Sequence, residues 1–288
     1  MPERLNTLAV LTGWQNENAR RAVVELGAAR ESLGVSLIMS EEEAAKHDDP
    51  EALGFRRVAA DELRAADACV VFGGDGTILR SLGRLLGTAV PTLGVNYGNV
   101  GFLASLPHDG WYAGLQAMVA GEYRVVDLLT VDAWINGEKH AAVNDIVLSR
   151  VEPRHVLHLE YEVSGITVGR MLCDGLIIAT PTGSTAYNLS CDGPIVEWDA
   201  SVLLLNFIAP HSLGFRPVVL RPDHVISVAN VSPQEECEVV ADGATVGRLC
   251  CGDRVRMAAG EQRARLMVRA EGSFYQNVEE KLFNREGR

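Results

Sequence analysis

The stretch Ala68-Cys69-Val70-Val71-Phe72-Gly73-Gly74-Asp75-Gly76-Thr77-Ile78-Leu79 decides how this chain is read. Five apolar residues in a row predict a buried strand, and Ile78, Leu79, Leu82, Leu85 and Leu86 continue at helical spacing. Between them the glycines permit a tight strand-to-helix turn whose backbone can approach a ligand. Amides that open a helix point outward with partial positive charge, so the turn is a phosphate cradle with a carboxylate set inside it. Phosphoryl transfer is the chemistry this implies: Asp75 can take a proton from a nearby hydroxyl while Gly73, Gly74, Gly76 and Thr77 hold the donor phosphates. Arg80 lies three residues beyond Thr77 on the same helix face, within reach of a phosphate. No lysine follows the glycines as in a Walker A loop, and the spacing is not that of a dinucleotide fingerprint. Taken by itself, the stretch also fits an ordinary turn in which Asp75 caps a helix.

Outward from this turn, apolar strand-like segments alternate with helical ones at residues 8–11, 19–33, 35–39, 68–72, 77–86, 92–95 and 111–119. Such alternation predicts an α/β layer with a Rossmann-like parallel sheet. Beyond Glu122 the pattern changes to strands, beginning at residues 125–135, and Asn136-Gly137 is the pair best suited to a type I′ hairpin turn. Later candidates include residues 156–163, 167–172, 176–179, 202–208, 225–231 and 265–268. The expected division is therefore an α/β domain over 1–123 and a mostly β domain over 124–271.

A chain of 288 residues with 47% hydrophobic and 22% charged residues is long enough for two substantial cores. The net charge of −12 argues against a nucleic-acid groove. No apolar run reaches the length of a membrane span, and residues 5–11 read as a first strand and not as a leader. The six cysteines show no C-x-x-C spacing, which predicts buried free thiols in a reducing cytoplasm and no zinc site.

Two further stretches carry polar groups where a strand pattern does not want them. Asn144-Asp145 interrupts Ala141-Ala142-Val143 and Ile146-Val147-Leu148, which costs stability unless the side chains find partners, in an Asx turn or on a ligand. Thr180-Pro181-Thr182-Gly183-Ser184-Thr185 offers four hydroxyls around a proline-fixed bend, and residues 185–190 can form a brief helix after it.

Together with Asn96-Tyr97-Gly98-Asn99-Val100-Gly101-Phe102-Leu103 and Asp174-Gly175, these motifs, in this order over about residues 66 to 243, resemble the NAD kinase family. The resemblance implies a two-domain fold in which the tail, residues 272–288, returns to the first domain. It implies phosphorylation of the 2′-hydroxyl of the adenosine ribose of NAD, with ATP or polyphosphate as donor and Asp75 as the catalytic group. Asn144 and Asp145 would then contact ribose, with Asp75 and Gly76 beside the dinucleotide. Asp174, Thr182, Thr185, Ala186, Tyr187, Asn188, Leu189 and Ser190 would line the NAD pocket. Phe102 and Tyr187 would flank adenine, and His155 falls where the family often places a ligand-facing polar residue. The sequence offers isolated aspartates and no cluster of hard oxygen ligands, so Mg2+ is expected to arrive with the nucleotide and not in a protein cage. A homodimer or homotetramer is expected.

Three departures stand out. Ser190-Cys191-Asp192-Gly193-Pro194 replaces the usual Ser-Ala-Gly-Gly-Pro, Asp242-Gly243-Ala244 replaces Asp-Gly-Gln, and Leu172 occupies a commonly polar position. A lipid kinase of the diacylglycerol or sphingoid class is the enzymatic rival, and a silent NAD(P)-binding sensor on the same fold is the non-enzymatic one.

Overall fold

The computed structural model describes residues 4–13, 17–98, 101–152, 155–272 and 274–283. Asn99 and Val100 of the second motif, and residues 273 and 284–288 of the tail, lie outside them. The chain forms two compact units, Met1–Asp127 with Ala264–Arg288, and Leu128–Arg263.

In the first unit the described elements are β1 (Thr7–Thr12), α1 (Glu17–Leu33), β2 (Ser36–Ser40), α2 (Glu41–Ala44), β3 (Phe55–Val58), β4 (Ala68–Gly73), α3 (Asp75–Arg84), β5 (Thr92–Asn96), β6 (Leu106–Pro107), α4 (Trp111–Val119) and β7 (Tyr123–Leu128). The sheet runs β3-β2-β1-β4-β5, then the strand Ala264–Arg269, then β7. Pairing is parallel from β3 through β5. β4 is buried along its whole length, which is why its sequence is an unbroken apolar run. On one face α1 contributes Ala19, Ala22, Val23 and Leu26, and α4 contributes Trp111, Leu115 and Met118. Trp111 meets Phe72 of β4 edge-on at 5.1 Å. The strand order reverses between β1 and β4, so their carboxyl ends flank the switch point where open α/β sheets bind ligands.

The division differs from the expected cuts at 123 and 271. β7 and Ala264–Arg269 belong to the first sheet, where Leu266 pairs with Thr92 and Ser105 Oγ donates to the Met267 carbonyl at 2.7 Å. Residues 264–269 carry the short apolar run Leu266-Met267-Val268 of a strand buried on both faces, and nothing local in it records which sheet, 170 residues away or adjacent, will accept it. The described part of the tail includes the helix Phe274–Val278, from which Asn277 Nδ2 donates to the Phe102 carbonyl at 3.1 Å.

The second unit holds β8 (Val131–Ile135), β9 (Glu138–Ala142), β10 (Asp145–Arg150), β11 (Leu157–Val163), β12 (Ile166–Cys173), β13 (Gly175–Ala179), α5 (Tyr187–Ser190), β14 (Leu203–Ile208), β15 (Val218–Leu220), β16 (Ile226–Asn230), β17 (Cys237–Ala241), β18 (Ala244–Leu249) and β19 (Arg254–Ala259). Two sheets, β15-β14-β13-β10-β17-β18 and β12-β11-β16-β19-β8-β9, share one apolar core. Asn136 and Gly137 both have positive φ, 51° and 88°, and Ile135 faces Glu138, as a two-residue hairpin requires. The first of these sheets is also covered on its other face, where Val147, Ile177, Ala179 and Leu204 pack against Cys191 and Val196. That second cover holds the segment after β13 in place.

All six cysteines are free thiols, and the expectation that they are buried holds for Cys69, Cys173 and Cys237. Burial pushes each of these three up to about 12. Cys191 is half-buried, whereas Cys250 and Cys251 are exposed because they begin the turn that the Asp253 carboxylate closes on the Cys250 amide.

Candidate active site

β4 ends at Gly73 and α3 begins at once, with Gly74 in extended conformation as its N-cap. Asp75 therefore occupies the first helical position, beside amides that have no partner within the helix. Its carboxylate is fixed from outside: Oδ2 accepts the Phe102 amide at 2.5 Å and Oδ1 the Leu103 amide at 3.1 Å. Hydrogen bonds to a charged acceptor contribute about 1.5–3 kcal/mol each, enough to hold one rotamer. Gly101 makes the approach possible, since a β-carbon there would overlap the Asp75 carboxylate. Thr77 packs over Gly73, and Arg80 Nη2 donates to Thr77 Oγ1 at 3.3 Å, so the guanidinium leans over the turn. Gly76 and Arg80 are exposed, and Phe102 is buried at 9% exposure.

In the second unit the pair Asn144-Asp145 opens β10, and its backbone is organised by a residue far along the chain. Asp242 accepts the amides of Val143 at 2.7 Å, Asn144 at 2.8 Å and Asp145 at 3.2 Å. Asp242 itself sits at φ 47°, a left-handed turn position that aspartate tolerates. Burial, with the Asp242 charge adding to it, pushes the Asp145 carboxyl up to about 7. Asp242 is raised by burial too, against the lowering effect of its three amides. Thr180 Oγ1 donates to the Val143 carbonyl at 2.6 Å, and the Thr180 amide to the Asn144 carbonyl at 2.8 Å. Gly183 lies flat on Asn144, whose carbonyl a β-carbon would overlap. In this knot Asn144 Oδ1 and Thr182 Oγ1 are buried without a hydrogen-bond partner among the described residues. Such orphans mark where a ligand's donors would be accepted.

Asp174, at the β12–β13 corner, pairs with Arg150 at 2.9 Å. Tyr187 is 44% exposed, and its hydroxyl is raised by burial and then by the charges of Cys191, Asp174 and Asp145. Asp145, Asp174 and Tyr187 therefore share one electrostatic neighbourhood. Thr185 Oγ1 donates to the Thr182 carbonyl at 3.3 Å, Ala186 and Leu189 are half-buried, and Ser190 is exposed. Two residues differ from their expected part as pocket wall. Asn188 is fully buried, with Nδ2 donating to Ser184 and Pro194 carbonyls at 3.2 Å and Oδ1 accepting from Asn206 at 3.2 Å, so its amide is spent shaping the segment. His155 is exposed and its Nδ1 pairs with Glu235 at 2.5 Å, which turns the ring to that carboxylate.

The first unit thus gathers Gly73, Gly74, Asp75, Gly76, Thr77, Arg80 and Phe102. The second gathers Asn144, Asp145, Asp174 and the turn from Thr182 to Ser190. Sequence reasoning missed the parts played by Gly101, Asp242 and Arg150. Asp242-Gly243 carried a turn signal that pointed to this position, whereas Arg150 carried none. Among the described residues no three His, Cys, Asp or Glu side chains are grouped to hold a metal ion. No described helix is long and apolar enough to cross a membrane.

Residues 15–123 match the family model described as ATP-NAD kinase N-terminal domain, and residues 143–269 the one described as ATP-NAD kinase C-terminal domain. A curated NAD kinase of Geobacter sulfurreducens is 38% identical over 75% of this chain and 78% of its own length. One of Nitrosomonas eutropha is 34% identical over 96% of this chain and 94% of its own. Among solved structures, an NAD kinase from Archaeoglobus fulgidus in complex with ATP superposes with TM-score 0.75 at 26% identity, covering 96% of this chain and 98% of that one. Yeast NADH kinase complexed with NADH shares the fold at TM-score 0.88 and 24% identity, over 99% of this chain and 90% of that one.

Proposed function

This chain belongs to the NAD kinase family, and we infer that it transfers the terminal phosphoryl group of ATP to the 2′-hydroxyl of the adenosine ribose of NAD, giving NADP. The observation that carries the mechanism is the Asp75 carboxylate, pinned by the Phe102 and Leu103 amides on the turn that starts α3. Held so, Asp75 accepts the proton of the attacking 2′-hydroxyl without a rotamer search, and transfer otherwise rests on positioning and charge. Gly73, Gly74, Gly76 and Thr77 present backbone to the donor phosphates, and Arg80 adds a positive charge beside them.

On the acceptor side, Asn144 and Asp145 bind the ribose hydroxyls, Thr182 adds its unpartnered hydroxyl, and the half-exposed Tyr187 offers a ring face to adenine. Asp174 orients the dinucleotide with Arg150 as its counter-charge, and Asn188 acts as a positioning residue behind the segment. A divalent cation neutralises the triphosphate, and Mg2+ bound to the nucleotide suits a turn whose carboxylate is already engaged by two amides. The chain works as a homodimer or homotetramer in the cytoplasm, where its six thiols stay reduced. Ile166, Val168 and Leu172 support the assembly, because they leave an apolar edge on β12, at the end of its sheet, that a second copy would cover.

The test is NADP formation from NAD and ATP, read by an NADP-specific dehydrogenase, in wild type and Asp75→Asn. Turnover that disappears in the variant supports the reading. Wild type that binds NAD yet makes no NADP would return the protein to the sensor class.

A further inference from the structure

The peptide group between Phe102 and Leu103 is held at both ends. Its carbonyl accepts Asn277 Nδ2 at 3.1 Å, and its N–H, the Leu103 amide, donates to Asp75 Oδ1 at 3.1 Å. A peptide group is planar, so a donor that fixes the direction of the carbonyl also fixes the direction of the N–H opposite it. Hydrogen bonds in series polarise one another: a carbonyl engaged by Asn277 makes the amide behind it a better donor to the carboxylate. Phe102 and Leu103 are both buried, so little water competes for this peptide group.

The tail that supplies Asn277 is anchored on the first unit. Arg124 Nη2 of β7 donates to the Gly272 carbonyl at 2.9 Å, just after the strand Ala264–Arg269, and Phe274 is buried. Asn277 follows Phe274 by three residues and lies on the same face of the helix Phe274–Val278. Five residues are too few for a helix to stand alone in water, so its place depends on these contacts. Asparagine is a weak helix former, and here its amide is spent on a carbonyl 175 residues upstream.

The far end of the segment is secured separately. The Ser105 amide donates to the Gly94 carbonyl at 2.9 Å, and Ser105 Oγ donates to the Met267 carbonyl at 2.7 Å. Those bonds fix the chain two residues beyond Leu103 and leave the tilt of the Phe102–Leu103 plane to its own two partners, Asn277 and Asp75.

We propose that Asn277 is a positioning residue for phosphoryl transfer: by holding the Phe102 carbonyl it orients the Leu103 amide, and through that amide it sets the Asp75 carboxylate toward the acceptor hydroxyl. The proposal rests on the kinase reading for the reaction and on the geometry of the tail for the residue. Asn277→Asp keeps the shape of the side chain and replaces its donor with an oxygen that the Phe102 carbonyl repels, and Asn277→Leu removes the donor at similar volume. In the full chain each should lower kcat by about five- to tenfold, with KM for NAD and for ATP within about twofold of wild type. In an Asp75→Asn background the same substitutions should cost nothing further, because the two residues act through one peptide group. Hydrogen exchange at the Leu103 amide, followed by mass spectrometry, should quicken by about tenfold in both variants. Wild-type kcat in both, a loss carried by KM and not by kcat, an equal loss in the Asp75→Asn background, or unchanged exchange at Leu103 would each overturn the proposal. Should Asn277→Asp fail to fold, Asn277→Leu decides alone. An absence of turnover by wild type with every donor would sink the kinase reading instead, and exchange at Leu103 would still decide whether Asn277 orients the peptide.

Discussion

Gly101 and Asp75 are in such close contact that a β-carbon on Gly101 would overlap the Asp75 carboxylate, Oδ2 lying 2.8 Å away and Oδ1 nearer still. Two neighbouring amides, from Phe102 and Leu103, hold that carboxylate from the same side. Position and partners of the proposed base are thus set by one short segment.

Asp75→Asn and Gly101→Ala should converge on the same kinetic defect. The first keeps one acceptor for the two amides and loses the base, and the second displaces the base from its amides. Each should lower kcat by about 10²–10⁴-fold while NAD affinity changes little. Steady-state kinetics with calorimetry of NAD binding checks this, and a Gly101→Ala enzyme with wild-type kcat would show that the pinning is irrelevant to catalysis.

Asp145 makes a prediction with a definite sign. Burial, then the charge of Asp242, raises it from 3.8 to about 7, so between those values the folded state holds a proton that the unfolded chain releases. Its contribution to stability is full below about pH 4 and is lost as pH rises to about 7. Asp145→Asn removes that loss: its melting temperature should exceed that of wild type by a few degrees at about pH 8, with the gap closing toward about pH 5. NAD binding should move the opposite way, since ribose hydroxyls prefer the ionised carboxylate. Wild-type KM for NAD should fall from about pH 6 to about pH 8, and the variant's should stay flat and high. Parallel pH profiles in the two proteins would remove Asp145 from the ribose site.

Thr182 offers a substitution with opposite effects on stability and binding. Its hydroxyl oxygen is buried with no partner among the described residues, as is Asn144 Oδ1 beside it. An unsatisfied buried polar group costs about 1–3 kcal/mol, which a bound ligand recovers. Thr182→Val should therefore raise the stability of the free protein by roughly 1 kcal/mol and weaken NAD binding by a similar amount, about fivefold. Denaturant titration and calorimetry measure the two effects. A variant that loses stability would mean that the hydroxyl already has a use in the free protein.

What was legible in the sequence was local. The strand, glycine turn and α3 follow from the seventeen consecutive residues 68–84, and the Asn136-Gly137 hairpin from two. Contacts between distant residues were not legible. Asp242 reaches back 97 to 99 residues to the Asn144 turn, and its Asp-Gly signal names a turn without naming that partner. Arg150 looks like any strand-end cation until the fold sets it 2.9 Å from Asp174. Asn188 reads as a polar pocket residue because two of its three partners, Pro194 and Asn206, lie beyond the motif. The assignment of Ala264–Arg269 to the first sheet depends on a strand, β5, that lies far upstream.

The metal requirement can be argued from charge. The chain carries a net charge of −12, and on the helix that starts at the turn taking the donor phosphates the nearest cation, Arg80, already leans on Thr77. Backbone amides contribute partial charges worth about half a unit at a helix start, well short of a triphosphate's several negative charges. Asp75 would add repulsion if no cation intervened. Turnover should therefore vanish in excess chelator and return with Mg2+ or Mn2+. The protein alone should bind either ion weakly, because no three suitable side chains are grouped among the described residues. The dependence of rate on magnesium should then follow the concentration of the magnesium–nucleotide complex, with no further saturation from a separate protein site. Full turnover in excess chelator, with donor stripped of metal, would require some other source of positive charge at the turn and would refute this account of donor binding.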